Sequence, residues 1–258
     1  MNFNRKGFAL ITVLWLIAAL ASVVALEVGA VRLGNQASAN RIVLTRGRWA
    51  AEACLAIVQR RWAEHRMPDT ASFDLGRGTH CSWHVDDPTT RINVNIADVE
   101  MLRGLGWSET FLQAVVEARR RGPFQSVGQL SQLAGYDSSA VDQATVLGPG
   151  SINVTAAPRE LLRTLPGLTA EAVDLVLYRR SVGRPVTSLD ELVAVLSPSS
   201  REALLGRYAD LARVATFAPP QLVVRAQGWV EGFGPRATIE VVTVPLPERL
   251  AIVGRRMW

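Results

Sequence analysis

Cys54 and Cys81 are the only two cysteines in this chain of 258 residues, and two states suit them. In a compartment that permits disulfides they form a bridge, provided their Cα atoms come within roughly 7 Å; otherwise they are two buried thiols. With His80 and His84 beside it, Cys81 also sketches a metal site. On a strand, however, the two histidines share one face and Cys81 takes the other, and no spacing supplies the further ligands of tetrahedral zinc. Asp86-Asp87 and Asp137-Ser138-Ser139 offer oxygens to a cation such as calcium, but ordinary turn chemistry accounts for both. No metal or cofactor is assigned.

Catalysis has little to work with. Lys6 is the only lysine, which removes a phosphate loop of the G-x-x-x-x-G-K-[ST] kind and any Schiff-base lysine in the body of the chain. No G-x-S-x-G elbow occurs, and the scattered Asp and Glu single out no catalytic pair. The expectation is a protein that is not an enzyme.

The elements that must position these residues begin with an uncharged run from Phe8 to Leu26. As a helix it spans roughly 28 Å at ~1.5 Å per residue, about the hydrocarbon thickness of a bilayer. Arg5 and Lys6 flank it and place that flank in the cytoplasm, with the C-terminal bulk across the membrane. A secretory signal peptide competes, but its apolar region lasts only ~7 to 15 residues and ends at a small-residue cleavage site. Here helix-compatible sequence continues past Glu27 and Arg32. From Arg41 to Arg66 it reads as an amphipathic helix, with Trp49, Ala53 and Ile57 on one stripe and Cys54, Val58 and Trp62 beside it, and Pro68 as its stop. Net charge is +5, almost all of it arginine and interleaved with acids, which is more like compositional background than a binding patch.

Strand-like segments follow at Thr79 to Val85, with Asp86-Asp87-Pro88 as a turn and Arg91-Ile92-Asn93-Val94 returning, and again at Leu222 to Val230, Arg236 to Val244 and Leu250 to Val253. Between them lies a duplication. Ile92-Asn93-Val94 answers Ile152-Asn153-Val154, Leu102-Arg103 answers Leu162-Arg163, Gly106 answers Gly167, and Ser126 to Leu130 answers Ser188 to Leu192. Each copy reads as a compact all-α unit, with Asp98, Thr155 or Pro158 near the start of its first helix.

Three resemblances follow from these residues. The basic start ending in Gly7, followed by Phe8 and the apolar run, resembles the leader of type IV pilins and pseudopilins. It implies cleavage between Gly7 and Phe8 by a prepilin peptidase and N-methylation of Phe8. Thr12 stands where that family usually has Glu, and a carboxylate in hydrocarbon needs a partner, so its absence suggests a subunit with none ahead of it. The duplicated units resemble paired helix-hairpin-helix modules, which often grip a nucleic-acid backbone. Copy one keeps Gly104-Leu105-Gly106 and is followed by Arg119, Arg120 and Arg121, while copy two reads Pro166-Gly167-Leu168-Thr169. DNA contact is weighed below a solvated basic helix end.

Taken together, the order of parts resembles the large K-type minor pseudopilins of type II secretion. The fold class expected is α+β: a long N-terminal transmembrane helix, a small antiparallel sheet, and an inserted all-α domain of two helix-hairpin-helix-like repeats. The expected domains are a leader at 1–7, a helix at 8–67 with its membrane part at 8–26, a sheet domain at 68–91 and 213–258, and an insert at 92–212 with repeats at 92–148 and 152–212. The resemblance implies an inner-membrane, single-pass protein with a periplasmic C-terminal domain. It implies a role at the tip of the pseudopilus, priming assembly and aiding export of folded proteins. The implied partners are minor pseudopilins I and J, the prepilin peptidase, the inner-membrane assembly platform, the outer-membrane secretin and the secreted proteins. The alternatives are a membrane-anchored DNA-binding protein for DNA uptake and a minor type IV pilin.

Overall fold

The computed structural model describes residues 5–234 and 236–258, with side chains from residue 13 onward. Its first element, α1 (Arg5–Ala63), is a single helix of 59 residues, roughly 88 Å long at ~1.5 Å per residue. No proline occurs in it to break the backbone ladder. It stops at Ala63, ahead of the expected stop at Pro68, because His65 takes a left-handed φ of 55°. The amide of His65 then donates to Trp62 O at 2.9 Å and that of Arg66 to Arg61 O at 3.0 Å, which is the Schellman arrangement.

Five strands form one antiparallel sheet in the order β1 (Thr70–Asp74), β2 (Thr79–Asp86), β7 (Leu222–Val230), β8 (Arg236–Pro245) and β9 (Leu250–Met257). In β2, Cys81, Trp83 and Val85 point inward while His84 is exposed, the alternation of a sheet covered on one side. The covering element is the C-terminal half of α1. Its Ala50, Ala51, Cys54, Leu55 and Val58 form a core with Cys81, Trp83, Leu222, Val224, Ala226, Ile239, Val241 and Leu250. Ile92-Asn93, expected to return onto this sheet, does not. A 3₁₀ turn at Pro88–Thr90, capped by the Asp87 side chain, redirects the chain first.

That turn opens the insert. Copy one begins with β3 (Ile92–Asn93) and runs through α2 (Val99–Gly104), α3 (Glu109–Arg121) and α4 (Ser139–Gln143) to β4 (Ala144–Thr145), which pairs in parallel with β3. Copy two begins with β5 (Ile152–Asn153) and runs through α5 (Arg159–Leu162), α6 (Ala170–Ser181), α7 (Leu189–Val195), α8 (Pro198–Gly206) and α9 (Tyr208–Val214). It closes with β6 (Ala215–Thr216), again parallel to its opening strand. Ser108 and Thr169, equivalent positions, cap α3 and α6 through Phe111 N and Ala172 N. A second core, drawn from both copies and running from Ile92 to Leu211, shares no residue with the sheet core.

Candidate functional site

The membrane candidate is the first half of α1. Its apolar window is long enough to cross a bilayer, and none of that window is buried within the chain. Gly7, Phe8 and Thr12 sit on this helix, but their side chains lie outside the described residues. Beyond the apolar run α1 stays exposed until Val43, apart from half-buried Gly29. Of the arginines here, Arg32, Arg41, Arg46, Arg48, Arg60 and Arg61 stand against only Glu27 and Glu52. Val28, Val31, Ile42 and Trp49 are exposed apolar side chains whose spacing puts them on one stripe. Trp49 is 71% exposed, and of its stripe only Ile57 packs, partly buried, on the sheet core, while the neighbouring stripe goes deeper. Cys54 and Val58 are fully buried in that core, with Trp62 packed against it.

Small residues make the joint between α1 and the sheet close. A Cβ added at Gly228 on β7 would lie 2.1 Å from Gly47 O and 2.5 Å from Ala51 N, and one at Gly47 would lie 3.0 Å from Gly228 O. Arg46 reaches across the end nearer the apolar run to Arg77 O at 2.7 Å and Thr79 Oγ1 at 2.6 Å. Trp62 closes the other end by donating to Leu246 O at 2.7 Å, and Glu52 pairs with Arg255 of β9. Inside this joint the thiols of Cys54 and Cys81 meet. Each is wholly buried, and both belong to the one core between helix and sheet. The neighbouring Cys81 thiol and then burial push the Cys54 thiol up.

The metal candidates separate. Cys81 points into the core while His80 stacks on Trp229 with ring centroids 5.7 Å apart, on the other face. Among the described residues no three of His, Cys, Asp and Glu gather as a metal set. Asp86 pairs with Arg91. Asp87 accepts from Thr89 N at 2.9 Å and from Asn153 Nδ2 at 2.8 Å, so its oxygens serve to join the sheet to copy two. Asp137 accepts from Ser139 N at 3.0 Å in a turn.

The nucleic-acid candidate is spoken for by the insert's own packing. Gly104 and Thr164 are equivalent positions of the two copies, and they touch. A Cβ at Gly104 would lie 2.9 Å from Thr164 Cγ2, so this glycine admits the other hairpin, where a backbone-binding module would admit phosphate. Gly106, with φ +82°, keeps open space around it. Of the arginine run, Arg119 turns inward and donates to Asn95 O at 3.2 Å and Ala97 O at 2.9 Å. Arg180, its equivalent, does the same to Val154 O at 3.2 Å and Ala157 O at 2.9 Å. Burial lowers the pKa of both guanidiniums. Arg120 pairs with Glu117 at 3.1 Å, which leaves Arg121 exposed. Sequence reasoning missed these two capping arginines, although their equivalence in the duplication marked them.

No family model matches the chain, and no curated protein matches it by sequence. Among solved structures it is similar to the complex of GspK, GspI and GspJ from the type 2 secretion system of enterotoxigenic Escherichia coli. The TM-score is 0.55 at 11% identity, over 82% of this chain and 93% of that one. At such identity the likeness is one of fold: the long apolar helix, the small antiparallel sheet and the further helices make an α+β architecture matching a pseudopilin.

Proposed function

We propose that this chain is a minor pseudopilin at the tip of a type II secretion pseudopilus, where it primes assembly and aids export of folded proteins across the outer membrane. One observation carries the reading: a single apolar helix leaves the membrane region bare and ends buried against a sheet that bears a large helical insert. A helix whose apolar side chains are exposed from Val13 to Ile42 has no use for them within its own chain, and neighbours of similar shape would cover them. The stripe of Val28, Val31, Ile42 and Trp49 is the surface for those neighbours, proposed to be minor pseudopilins of types I and J. Gly7 and Phe8 are the processing site of the prepilin peptidase, with Phe8 becoming the methylated N-terminus. The assembly platform, the secretin and the exported proteins are the remaining partners. The chain sits in the inner membrane with its sheet and insert in the periplasm, and its role is one of scaffolding without catalysis or cofactor.

Thr12 supports the tip position, since a terminal subunit has no neighbouring amine ahead for a membrane carboxylate to pair with. The insert supports it too, because its bulk beyond the sheet would obstruct a subunit stacked above. The DNA-binding alternative loses its two strongest features, Gly104 to packing between the two copies and Arg119 to carbonyl capping. A minor type IV pilin has no observation that favours it here.

Co-expression with candidate I- and J-type minor pseudopilins and a prepilin peptidase tests this reading. The expected outcome is a stoichiometric complex whose K-type chain begins with N-methylated Phe8. Trp49→Glu should weaken the complex at least tenfold without lowering the melting temperature of the lone chain. Cleavage near Ala21, or an intact complex with the Trp49 variant and no methylated Phe8, would remove its basis.

A further inference from the structure

Cys54 lies on the sheet-facing side of α1 and Cys81 on the helix-facing side of β2, and both are 0% exposed. Both belong to the core between helix and sheet; Cys81 is paired with Gly228 of β7, and a Cβ at Gly228 would meet Ala50 and Ala51, one turn before Cys54 on α1. A disulfide bond of about 2 Å needs the two Cα atoms within about 7 Å, and the close approach of α1 to the sheet at Gly228 favours such a separation. The pairing is unambiguous, since the chain holds no third cysteine.

We infer that Cys54 and Cys81 are joined as a structural disulfide in the exported chain, a covalent cross-link of α1 to β2. The inference rests on the proposed location of the sheet domain in an oxidising compartment. Each thiol gives up one proton and one electron as the S–S bond forms. An external disulfide, either oxidised glutathione or that of a thiol–disulfide oxidoreductase, takes up both electrons and both protons as its own S–S bond breaks, through a mixed disulfide. Docked on the sheet, the two thiols are sealed from any oxidant, so the bridge closes while α1 is still settling onto β2.

The position of the bridge gives it a task. Along α1, Val43, Gly47, Ala50 and Ala51 are the buried residues between the exposed stalk and Cys54. A pull that peels the stalk from the sheet breaks those contacts first and then meets the cross-link. The head of the molecule therefore stays on its helix under axial load, where packing by small side chains alone would give way.

The full-length chain in detergent, equilibrated in glutathione buffers and then alkylated, gives the bridge-forming equilibrium constant in the native state and in urea. Native structure is expected to raise that constant at least 100-fold over the unfolded chain, and reduction is expected to lower Tm by roughly 6–12 °C. A Cys54→Ala/Cys81→Ala variant should be indifferent to reductant, which separates bridge loss from a general effect of the reagent. A ratio near one, or two reactive thiols in the oxidised native chain, would overturn the inference. Protein taken from cell membranes distinguishes the two readings: a bridge that forms in detergent yet is absent in cells contradicts the proposed location and leaves the pairing intact.

Discussion

Among the described glycines, Gly228 has the least room for a side chain. Its φ is not in the left-handed region, so space alone dictates the glycine: an added methyl would fall on the backbone of α1, 2.1 Å from Gly47 O. Backbone cannot rotate aside as a side chain can. Gly228→Ala is therefore expected to cost about 3 kcal/mol or more, through helix displacement from the sheet, read as a fall in denaturation midpoint. Gly34 of α1 makes the contrast, since a methyl there meets nothing within 4 Å. Gly34→Ala should leave the domain's stability unchanged while favouring the stalk's helicity by up to about 1 kcal/mol. At the same scale, Arg119 and Arg180 show how a sequence run can mislead. Charge counting groups Arg119 with its neighbours, but its guanidinium serves two buried carbonyls, the kind of partner a sequence does not display.

Among the elements, α6 and α8 are fastened by one carboxylate. Glu171, in the first turn of α6, accepts from Ser197 N at 2.9 Å and from the hydroxyls of Ser197 and Ser200, which hold its pKa below the ordinary value. A depressed carboxylate stabilises the fold fully above its unfolded pKa, and that stabilisation is lost as pH falls through the lower folded value. Amides of α8 should therefore exchange several-fold faster below about pH 4, after correction for intrinsic rates, than at pH 6. Glu171→Gln should remove this pH dependence; an unchanged profile would count against the assignment.

Some elements were legible in the sequence and others were not, for physical reasons. The apolar run of α1, the strand-like composition of β7 and β8, and the duplication of the helices are each contained in contiguous stretches of sequence. Strand β1 was missed because Thr70-Ala71-Ser72-Phe73-Asp74 is a mostly polar edge whose outward residues are exposed. Ile92-Asn93 read as a returning strand because its composition is strand-like, yet its partner is Ala144-Thr145 of the same copy, a non-local pairing that no window of sequence contains. For the candidate site, the cysteine pair and the membrane run were visible from residue types. The direction of Trp49 was not, because a four-residue spacing defines a stripe without saying which stripe meets the sheet.

At the scale of the whole molecule there are two cores with no residue in common, one between α1 and the sheet and one filling the insert. Each copy of the insert closes its own ends by strand pairing, β3 with β4 and β5 with β6. Residues 92–216 are thus expected to fold alone as a monomeric helical domain with cooperative unfolding, which circular dichroism and calorimetry of that fragment would check; a molten fragment would refute it. The paired strands also set how the host domain experiences its guest. β2 and β7 are direct antiparallel neighbours, from Asp86 opposite Val223 to Thr79 opposite Val230, so the host sheet has the connectivity of a plain hairpin with a folded body standing where a short turn would be. Closing a long loop costs little more than closing a moderate one, and less still when the loop is already ordered. Natural variation can therefore enlarge, shrink or re-equip that body while the anchor, the joint and the sheet stay the same, which makes the apex of this molecule an interchangeable fitting on a constant mount.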